Sequence, residues 1–265
     1  MKFALISLGC SKNLVDSENF IGILVNKRGF EVTSELGEAD IIIVNTCGFI
    51  GDAKKESIET ILEVSDLKIN GNLKKIIVTG CLAQRYAGEI LKELPEVDAV
   101  IGTGEIDKIE KVIEEVLADK RVVESTKMDF LADSETDRVL TTASHTAYLK
   151  IAEGCDRKCT YCIIPQLRGN LRSRTIEDIL KEANKLVASG VRELNLLAQE
   201  TTEYGIDLYK EKSLARLMKE LVKIDGLKWL RTYYMFPDSL TDELIDVMKT
   251  EEKICKYFDI PVQHI

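Results

Sequence analysis

Residues 40–47, "DIIIVNTC", form an apolar run that ends in a cysteine, and this run gives the first indication of the fold. The same pattern occurs in "KFALISLGC" at 2–10 and in "KKIIVTGC" at 74–81, while "VDAVIG" at 97–102 has the apolar run without the cysteine. Runs so rich in Ile, Val and Leu are typical of parallel strands that are buried on both faces. We therefore predict parallel strands at 2–8, 40–46, 74–80 and 97–102.

Helical periodicity fills the intervals between these runs. The predicted helices lie near 13–28, 52–67, 84–93 and 105–118. Gly29 follows the first of them, where a residue in the left-handed conformation commonly ends a helix. Strands that alternate with helices in this way build an α/β domain with an open parallel sheet. We assign this N-terminal domain to residues 1–123.

The second half of the chain has its own alternation of strands and helices. Residues 124–143 lose periodicity and gather Ser, Thr and Asp, which predicts a linker. In residues 144–265 we predict strands at 147–153, 192–198, 227–234 and 256–262, and helices at 175–189, 213–224 and 239–249. Such repeats build a β/α barrel with its working residues at the carboxyl ends of the strands. Because the segment is too short for eight strands, we expect a partial, truncated barrel.

Composition narrows the class of protein. The chain has 265 residues, of which 45% are hydrophobic, and this favours one or two folded domains. Its net charge of -9 argues against a protein that coats nucleic acid without specificity. The N-terminus lacks the apolar core of a signal peptide, and no stretch approaches the roughly 18 apolar residues of a membrane span. We expect a cytoplasmic monomer with no membrane contact, in which seven cysteines serve as ligands or core residues rather than disulfides.

Three cysteines lie close together in "EGCDRKCTYC" at 153–162, directly after the first predicted strand of the second domain. A structural zinc ion would need a fourth ligand, and the nearest histidine, His145, lies at the other end of that strand. A 4Fe-4S cluster takes one cysteine per iron and can leave one iron open. The spacing of Cys155, Cys159 and Cys162 therefore favours a cluster with a vacant coordination site over zinc.

The three cysteines of the N-terminal domain form a second pattern. Cys10, Cys47 and Cys81 each follow a predicted strand, and each has a glycine as a neighbour. Because the carboxyl ends of parallel strands converge on one crevice, we expect these thiols to meet and form a second three-cysteine site with an open iron. The alternative is that they are ordinary buried cysteines. Cys255 fits neither pattern, and we interpret it as a core or surface thiol.

Five stretches of the chain together resemble one family, the radical S-adenosylmethionine (SAM) methylthiotransferases. They are "SLGCSKNLVDSE" (7–18), "NTCGFIGDAKKES" (45–57), "VTGCLAQRY" (78–86), "YLKIAEGCDRKCTYCIIPQLRG" (148–169) and "LLAQETTEYG" (196–205). The tRNA-modifying branch usually has an arginine soon after the "NTC" cysteine. Here the chain continues as Gly48-Phe49-Ile50-Gly51, so it is more similar to the branch that modifies a ribosomal protein.

The resemblance implies a chemistry. It implies two 4Fe-4S clusters, one on Cys155, Cys159 and Cys162 that binds SAM, and one on Cys10, Cys47 and Cys81 that holds sulfur. It also implies that two molecules of SAM are used to add a methylthio group to the β-carbon of an aspartate in ribosomal protein S-twelve. The electron donor and the sulfur donor are not given by the sequence.

Weaker site candidates follow from the same resemblance. Tyr161 is expected near the SAM adenine, and Gln199 and Glu200 near the methionine part, although ordinary solvated loop residues are an equal alternative. Gln263 and His264 resemble a segment that faces the barrel interior. The basic run of Arg168, Arg172 and Arg174 could attract an acidic substrate or the SAM carboxylate, but we interpret it as ordinary surface charge.

Two other functions remain open at this point. A tRNA methylthiotransferase would apply the same chemistry to a base, and a non-catalytic iron-sulfur protein would carry clusters without using SAM. The family normally continues beyond "PVQHI" with the rest of the radical-SAM core and a small β-barrel (TRAM) domain. We therefore expect this chain to correspond to the first part of the family protein.

Overall fold

The structure is a computed structural model that describes residues 1–126 and 128–262. The chain divides into two compact units. The first comprises Met1–Phe130, Thr136–Val139 and Thr160–Arg168, and the second comprises Leu131–Glu135, Leu140–Cys159 and Gly169–Ile265. Gln263 and His264, both named above as site candidates, lie outside the described residues.

The first unit is an α/β domain with a parallel sheet. Its strands are β1 (Lys2–Ser7), β2 (Glu31–Val32), β3 (Ile41–Thr46), β4 (Lys75–Gly80), β5 (Ala99–Ile101) and β6 (Val122–Glu124). Its long helices are α1 (Ser11–Arg28), α2 (Gly51–Asn70), α3 (Cys81–Glu93) and α4 (Ile109–Leu117). The order β2-β1-β3-β4-β5-β6 is parallel throughout. The four predicted strands are confirmed, and β2 and β6 extend the sheet at its two edges.

Both faces of this sheet are buried, as the continuous apolar runs predict. Side chains alternate along β3, so Ile41 and Ile43 join one core with residues of α1 and α4, while Ile42 and Val44 join the other with residues of α2 and α3. All four are fully buried. The helices therefore cover the sheet on both sides, and the strand ends remain as the place where side chains can meet.

The second unit contains a smaller parallel sheet with helices. Its strands are β7 (Thr146–Lys150), β8 (Ala152–Glu153), β9 (Arg172–Ser173), β10 (Glu193–Leu197) and β11 (Trp229–Thr232). Its helices are α6 (Ile176–Ala188), α7 (Ile206–Tyr209), α8 (Leu214–Leu221) and α9 (Asp242–Thr250); the short helix α5 (Ile164–Arg168) belongs to the first unit. Strands β11, β10 and β7 are parallel neighbours, and β8 pairs with β9 in antiparallel fashion. This is the partial β/α arrangement that we expected.

The segment predicted as a linker, 124–143, contributes to both hydrophobic cores. Phe130 and Val139 pack against the core of the first unit, and Leu140 packs against that of the second. Arg138 lies within the first unit and forms an ion pair of 2.7 Å with Glu18 on α1. The low periodicity of this segment therefore reflects irregular backbone rather than a lack of contacts.

The predicted strand at 256–262 is wrong. Among the described residues after α9, pairing with β11 is limited to an isolated parallel bridge between Leu230 and Ile254. Shortly after β11, Tyr234 adopts a left-handed backbone with φ of 57°. The two segments stay in contact beyond this point, since the N–H of Met235 donates to the carbonyl of Asp259 at 2.8 Å, but Pro261 has no N–H to offer to a ladder.

No helix in the described part of the chain is long and apolar enough to cross a membrane.

Candidate functional site

The first unit brings three cysteines together at one edge of the sheet. Cys10 occupies the N-cap position of α1, Cys47 directly follows β3, and Cys81 is the first residue of α3 after β4. Strands β1, β3 and β4 are adjacent in the sheet. A Cβ atom added to Gly9 would lie 2.8 Å from Cys47 Cβ and 3.2 Å from its sulfur, which shows how closely the Cys10 and Cys47 segments approach.

The glycine beside each of these cysteines has a steric reason. Gly9 and Gly80 have φ of 86° and 92°, in the left-handed region that side chains rarely adopt. A Cβ on Gly48 would lie 2.8 Å from the backbone nitrogen of Leu82 and 2.9 Å from the carbonyl of Cys81. A side chain at any of these positions would push the cysteine-bearing segments apart. The glycines thus clear space for three sulfur atoms at neighbouring strand ends.

The pKa of the Cys81 thiol also reflects the closeness of Cys10 and Cys47. Burial raises the pKa of the Cys81 thiol, and the neighbouring sulfurs of Cys10 and Cys47 act in the same direction, while Arg168 opposes them. A thiolate is the form that ligates a metal, so this buried position needs a cation to hold the sulfur deprotonated. Iron and the guanidinium of Arg168 are both suited to that task.

Polar side chains of α1 fix the strand ends around the thiols. The amide nitrogen of Asn13 donates to the carbonyls of Leu8 and Thr46, at 3.0 Å each. Asn45, on β3, donates to the carbonyl of Asn13 at 2.8 Å and to the hydroxyl of Ser17 at 2.9 Å. Helix α1 is therefore attached to the ends of both β1 and β3.

Cys47 is held from the other side by α2. The hydroxyl of Ser57 accepts from the Cys47 N–H at 3.0 Å and donates to its carbonyl at 3.1 Å. Ser57 is fully buried. The backbone that presents the Cys47 sulfur is thus fixed before any ligand binds.

Ordinary surface charge is the wrong interpretation for two of the three arginines in the basic run after the cysteine loop. Arg168 is 2% exposed and Arg174 is 4% exposed, whereas Arg172 is partly exposed. Arg174 binds Asp178 at 2.7 Å and Glu182 at 2.6 Å, which ties the start of the second unit's α6 together. Arg168 instead contacts residues around Cys81.

The residues of the second triplet are distributed over the two units. Cys155 and Cys159 belong to the second unit, and Cys162 lies in the Thr160–Arg168 segment of the first. All three are half-buried thiols. The loop starts after β8, where the N–H of Cys155 donates to the carbonyl of Gly169 at 3.1 Å.

Arg157, between Cys155 and Cys159, anchors this loop to the ends of the core strands. Its guanidinium pairs with Glu200 at 3.1 Å and with Glu203 at 3.0 Å, and it lies 3.8 Å from the ring centre of Phe236. Sequence reasoning missed this role, since an arginine inside a cysteine loop has no distinctive spacing.

Two predicted SAM contacts, Gln199 and Glu200, follow β10 in the second unit. Burial raises the pKa of Glu200, which also accepts from the N–H of Thr202 at 2.8 Å. Gln199 donates to Glu153, and its carbonyl oxygen is buried without a hydrogen-bond partner in the described part of the chain. An unpaired buried acceptor fits a ligand that offers an N–H or O–H donor, such as the amino group of SAM.

The remaining predicted residues are placed differently. Tyr161 belongs to the first unit and is 66% exposed. Cys255 is a half-buried thiol whose N–H donates to the carbonyl of Leu230 at 2.9 Å. Its role as a core or surface thiol stays a prediction.

Within the described ranges, no three His, Cys, Asp or Glu side chains converge as ligands of a single metal ion. An iron-sulfur cluster makes a different demand, because each thiolate binds a separate iron atom. Three thiols on adjacent strand ends, with the glycine clearance between them, fit that demand in the first unit.

Family models match both halves of the chain. Residues 2–102 match the model described as "Uncharacterized protein family UPF0004", and residues 149–265 match "Radical SAM superfamily". The chain carries a radical SAM domain. This match implies a 4Fe-4S cluster and SAM as cofactors of the domain. That Cys155, Cys159 and Cys162 ligate this cluster stays a prediction.

Relatives of the chain share one description. It is 54% identical over 264 residues to the protein named "Ribosomal protein uS12 methylthiotransferase RimO" of Clostridioides difficile, and 55% identical over 260 residues to the protein of the same name of Thermoanaerobacter sp.. These alignments cover 100% and 98% of this chain but 59% of each relative. The chain thus spans about three-fifths of the length of these relatives. The predicted resemblance to the methylthiotransferases of a ribosomal protein is confirmed.

Solved structures agree on the fold. A radical SAM methyltransferase, TsrM of Kitasatospora setae, covers the whole chain with a TM-score of 0.62 at 11% sequence identity. A second structure of TsrM, with cobalamin and a [4Fe-4S] cluster bound, gives the same TM-score at 12% identity. Identities this low support the radical SAM fold alone.

Proposed function

We propose that the chain is the cluster-binding and radical-generating part of a methylthiotransferase that modifies an aspartate of ribosomal protein S-twelve at its β-carbon. One observation carries this proposal beyond a general radical SAM assignment. Cys10, Cys47 and Cys81 lie at three adjacent strand ends, outside the residues 149–265 that match the radical SAM model. A second sulfur-rich site is what an enzyme that inserts sulfur requires. The relatives' shared name supports the substrate.

We propose two 4Fe-4S clusters, one on each cysteine triplet. With SAM bound, they would supply a carbon radical able to remove hydrogen from an unactivated C–H bond, and a methylated sulfur to replace it. The roles of the chain's own residues are to bind and to position. Gly9, Gly48 and Gly80 leave room for the N-terminal cluster, and Gln199 offers its unpaired oxygen to the SAM amino group. Positioning of this kind supplies a large part of the rate enhancement in such reactions.

Arg157 holds the loop of the SAM cluster in this proposal. Its pairs with Glu200 and Glu203 fix the backbone between Cys155 and Cys159. Glu200, predicted as a SAM contact, would then have two roles: it would hold the cysteine loop through Arg157 and it would contact SAM. Tyr161 remains a proposed neighbour of the SAM adenine. We further propose a monomer in a reducing, cytoplasmic compartment, since six ligand cysteines must stay reduced.

Mass spectrometry of the two candidate substrates tests the function. The chain would be reconstituted anaerobically with iron and sulfide, then incubated with SAM, a reductant and either S-twelve or tRNA. We expect formation of 5′-deoxyadenosine, and S-twelve in which one methylthio group replaces one hydrogen of an aspartate. An S-twelve variant with that aspartate replaced by alanine is the matched control.

Two outcomes would contradict the proposal. Transfer of the methylthio group to tRNA alone would assign the chain to the tRNA-modifying branch. Loaded clusters without any cleavage of SAM would indicate a non-catalytic iron-sulfur protein.

A further inference from the structure

We propose that Arg168 is a positioning residue that, together with Asp16, sets the charge beside the Cys81 sulfur and thereby the reduction potential of the N-terminal cluster. This inference rests on the proposed function, because it concerns the cluster that Cys10, Cys47 and Cys81 would hold. It adds a role for two buried ionic residues that ligate nothing themselves.

The contacts of Arg168 place its guanidinium against the thiol. One terminal nitrogen binds the carboxylate of Asp16 at 2.7 Å, and the other donates to the side-chain oxygen of Asn13 at 2.6 Å. The second nitrogen also lies 3.7 Å from the sulfur of Cys81. Arginine is almost never buried without a partner, and a buried pair is costly to form. This buried pair places a positive charge directly beside a proposed ligand sulfur.

Two anchors fix the guanidinium in this position. Asn13 is held by the carbonyls of Leu8 and Thr46, so its side-chain oxygen has one orientation. On the other side, the hydroxyl of Thr103 donates to the carbonyl of Leu167, the residue before Arg168. The charge is therefore preorganised and does not depend on a ligand to order it.

The physical effect on a cluster has a definite sign. Reduction adds negative charge to the cluster, so a nearby cation and an N–H donor to a ligand sulfur stabilise the reduced state and raise the potential. The carboxylate of Asp16 has the opposite effect. Both side chains are nearly excluded from water, at 2% and 5% exposure, so solvent screens them little.

The segment Thr160–Arg168 links this effect to the second cluster through the chain itself. It carries Cys162, a ligand of the SAM cluster in the proposed function, and it ends in Arg168. Both residues belong to the first unit. The same short segment would thus serve one cluster with a ligand and the other with a charge.

An EPR-monitored redox titration tests the inference. The full chain would carry Cys155→Ala, Cys159→Ala and Cys162→Ala, so that only the N-terminal cluster is loaded. We expect Arg168→Met to lower the midpoint potential and Asp16→Asn to raise it. Each shift should change the ratio of oxidised to reduced cluster at a fixed potential at least tenfold, or about 59 mV for one electron. Arg168→Lys should lie between wild type and Arg168→Met.

Arg138→Met is the matched control. It removes another buried arginine of the same unit, which pairs with Glu18 on the same helix. Its guanidinium pairs with Glu18, roughly 12 Å along α1 from Cys10 at 1.5 Å per residue, whereas the Arg168 guanidinium lies 3.7 Å from the Cys81 sulfur. We expect its potential to match that of wild type.

The outcomes separate this inference from the proposed function. If the unsubstituted chain loads no cluster on Cys10, Cys47 and Cys81, the proposed function fails. If the cluster loads but Asp16→Asn does not raise its potential, or Arg138→Met shifts it as much as Arg168→Met does, the inference alone fails. If Arg168→Met does not fold, the double variant Arg168→Met/Asp16→Asn replaces it, and its potential should fall below that of Asp16→Asn.

Discussion

Gly9 is the residue at which a single methyl group should disturb the N-terminal site most directly. Its φ of 86° makes alanine unfavourable by about 1–2 kcal/mol. The added Cβ would also lie 2.8 Å from Cys47 Cβ. We predict that Gly9→Ala lowers the free energy of unfolding of the apo chain by at least that amount, measured by urea denaturation, and that it reduces the iron bound after reconstitution.

Gly88→Ala is the control for this prediction. Gly88 is exposed on α3, and a Cβ there has open space around it. Alanine in a helix is favoured over glycine by about 0.5–1 kcal/mol. The control should therefore become more stable, and a loss of stability in both variants would contradict the steric argument.

Asp178 should make stability depend on pH in the acid range. Burial alone would raise the pKa of Asp178, but hydrogen bonds from Ser134 and the charge of Arg174 hold it below the ordinary value. A carboxyl with a lowered folded-state pKa contributes stability above its unfolded pKa of about 3.9, and this contribution is lost as the pH falls through the folded value.

Asp178→Asn tests the sign of that contribution. We expect the variant to be less stable than wild type at pH 7 by about 1.5–3 kcal/mol, the range for hydrogen bonds to charged groups, and the difference to shrink below pH 4. Urea denaturation over a pH series measures it. Asp246→Asn, at an exposed position on α9, is the control. A difference that grows as the pH falls would overturn the argument.

At the scale of an element, helix α6 begins where its sequence predicts. The hydroxyl of Thr175 accepts from the N–H of Asp178 at 3.2 Å, so Thr175 caps the helix that was predicted to begin there. We predict that Thr175→Ala costs about 1 kcal/mol of stability, while Thr175→Ser retains the cap. Equal losses in the two variants would show that the cap does not determine the stability of α6.

The elements also show where sequence patterns stop being informative. Strands β1, β3 and β4 were predictable because runs such as Ile41–Val44 require burial on both faces. The run at 256–262, KYFDIPV, forms no ladder; it is less apolar, and its Pro261 lacks the N–H that a ladder needs. A proline inside an apolar run therefore counts against a strand, even where hydrophobic residues recur.

The candidate site was predictable to a similar extent. Strand ends located Cys10, Cys47 and Cys81, but Arg168 was interpreted as surface charge because its partner Asp16 is distant in sequence. A signal did exist in "SLGCSKNLVDSE", where Asn13, Asp16 and Ser17 recur at helical spacing after Cys10. Polar side chains on the buried face of a helix need hydrogen-bond or ion-pair partners, so their pattern indicates that such partners lie nearby.

At the scale of the whole molecule, the two triplets should load iron independently. We predict about eight irons per reconstituted chain, from two four-iron clusters. Replacing Cys10, Cys47 and Cys81 by alanine should leave about four, and so should replacing Cys155, Cys159 and Cys162. Iron and acid-labile sulfide analysis measures both.

Cys255→Ala is the control for the iron count, since this cysteine belongs to neither triplet. It should retain the full complement. If either triple variant bound no iron at all, the clusters would depend on each other and the independence of the two sites would be wrong.

Because of helix α1, building this site into another protein would require more residues than the three cysteines. Its first half buries six polar side chains, Lys12, Asn13, Asp16, Ser17, Glu18 and Asn19, and the residues that its second half buries, 20–24, carry no polar side chain. A transplant of three cysteines onto a foreign parallel sheet would lack the amide that joins two strand ends and the carboxylate that neutralises an arginine. The smallest part that could be transplanted therefore includes the first half of α1 and the 160–168 segment. The cysteine site can be moved to another protein only together with these polar residues.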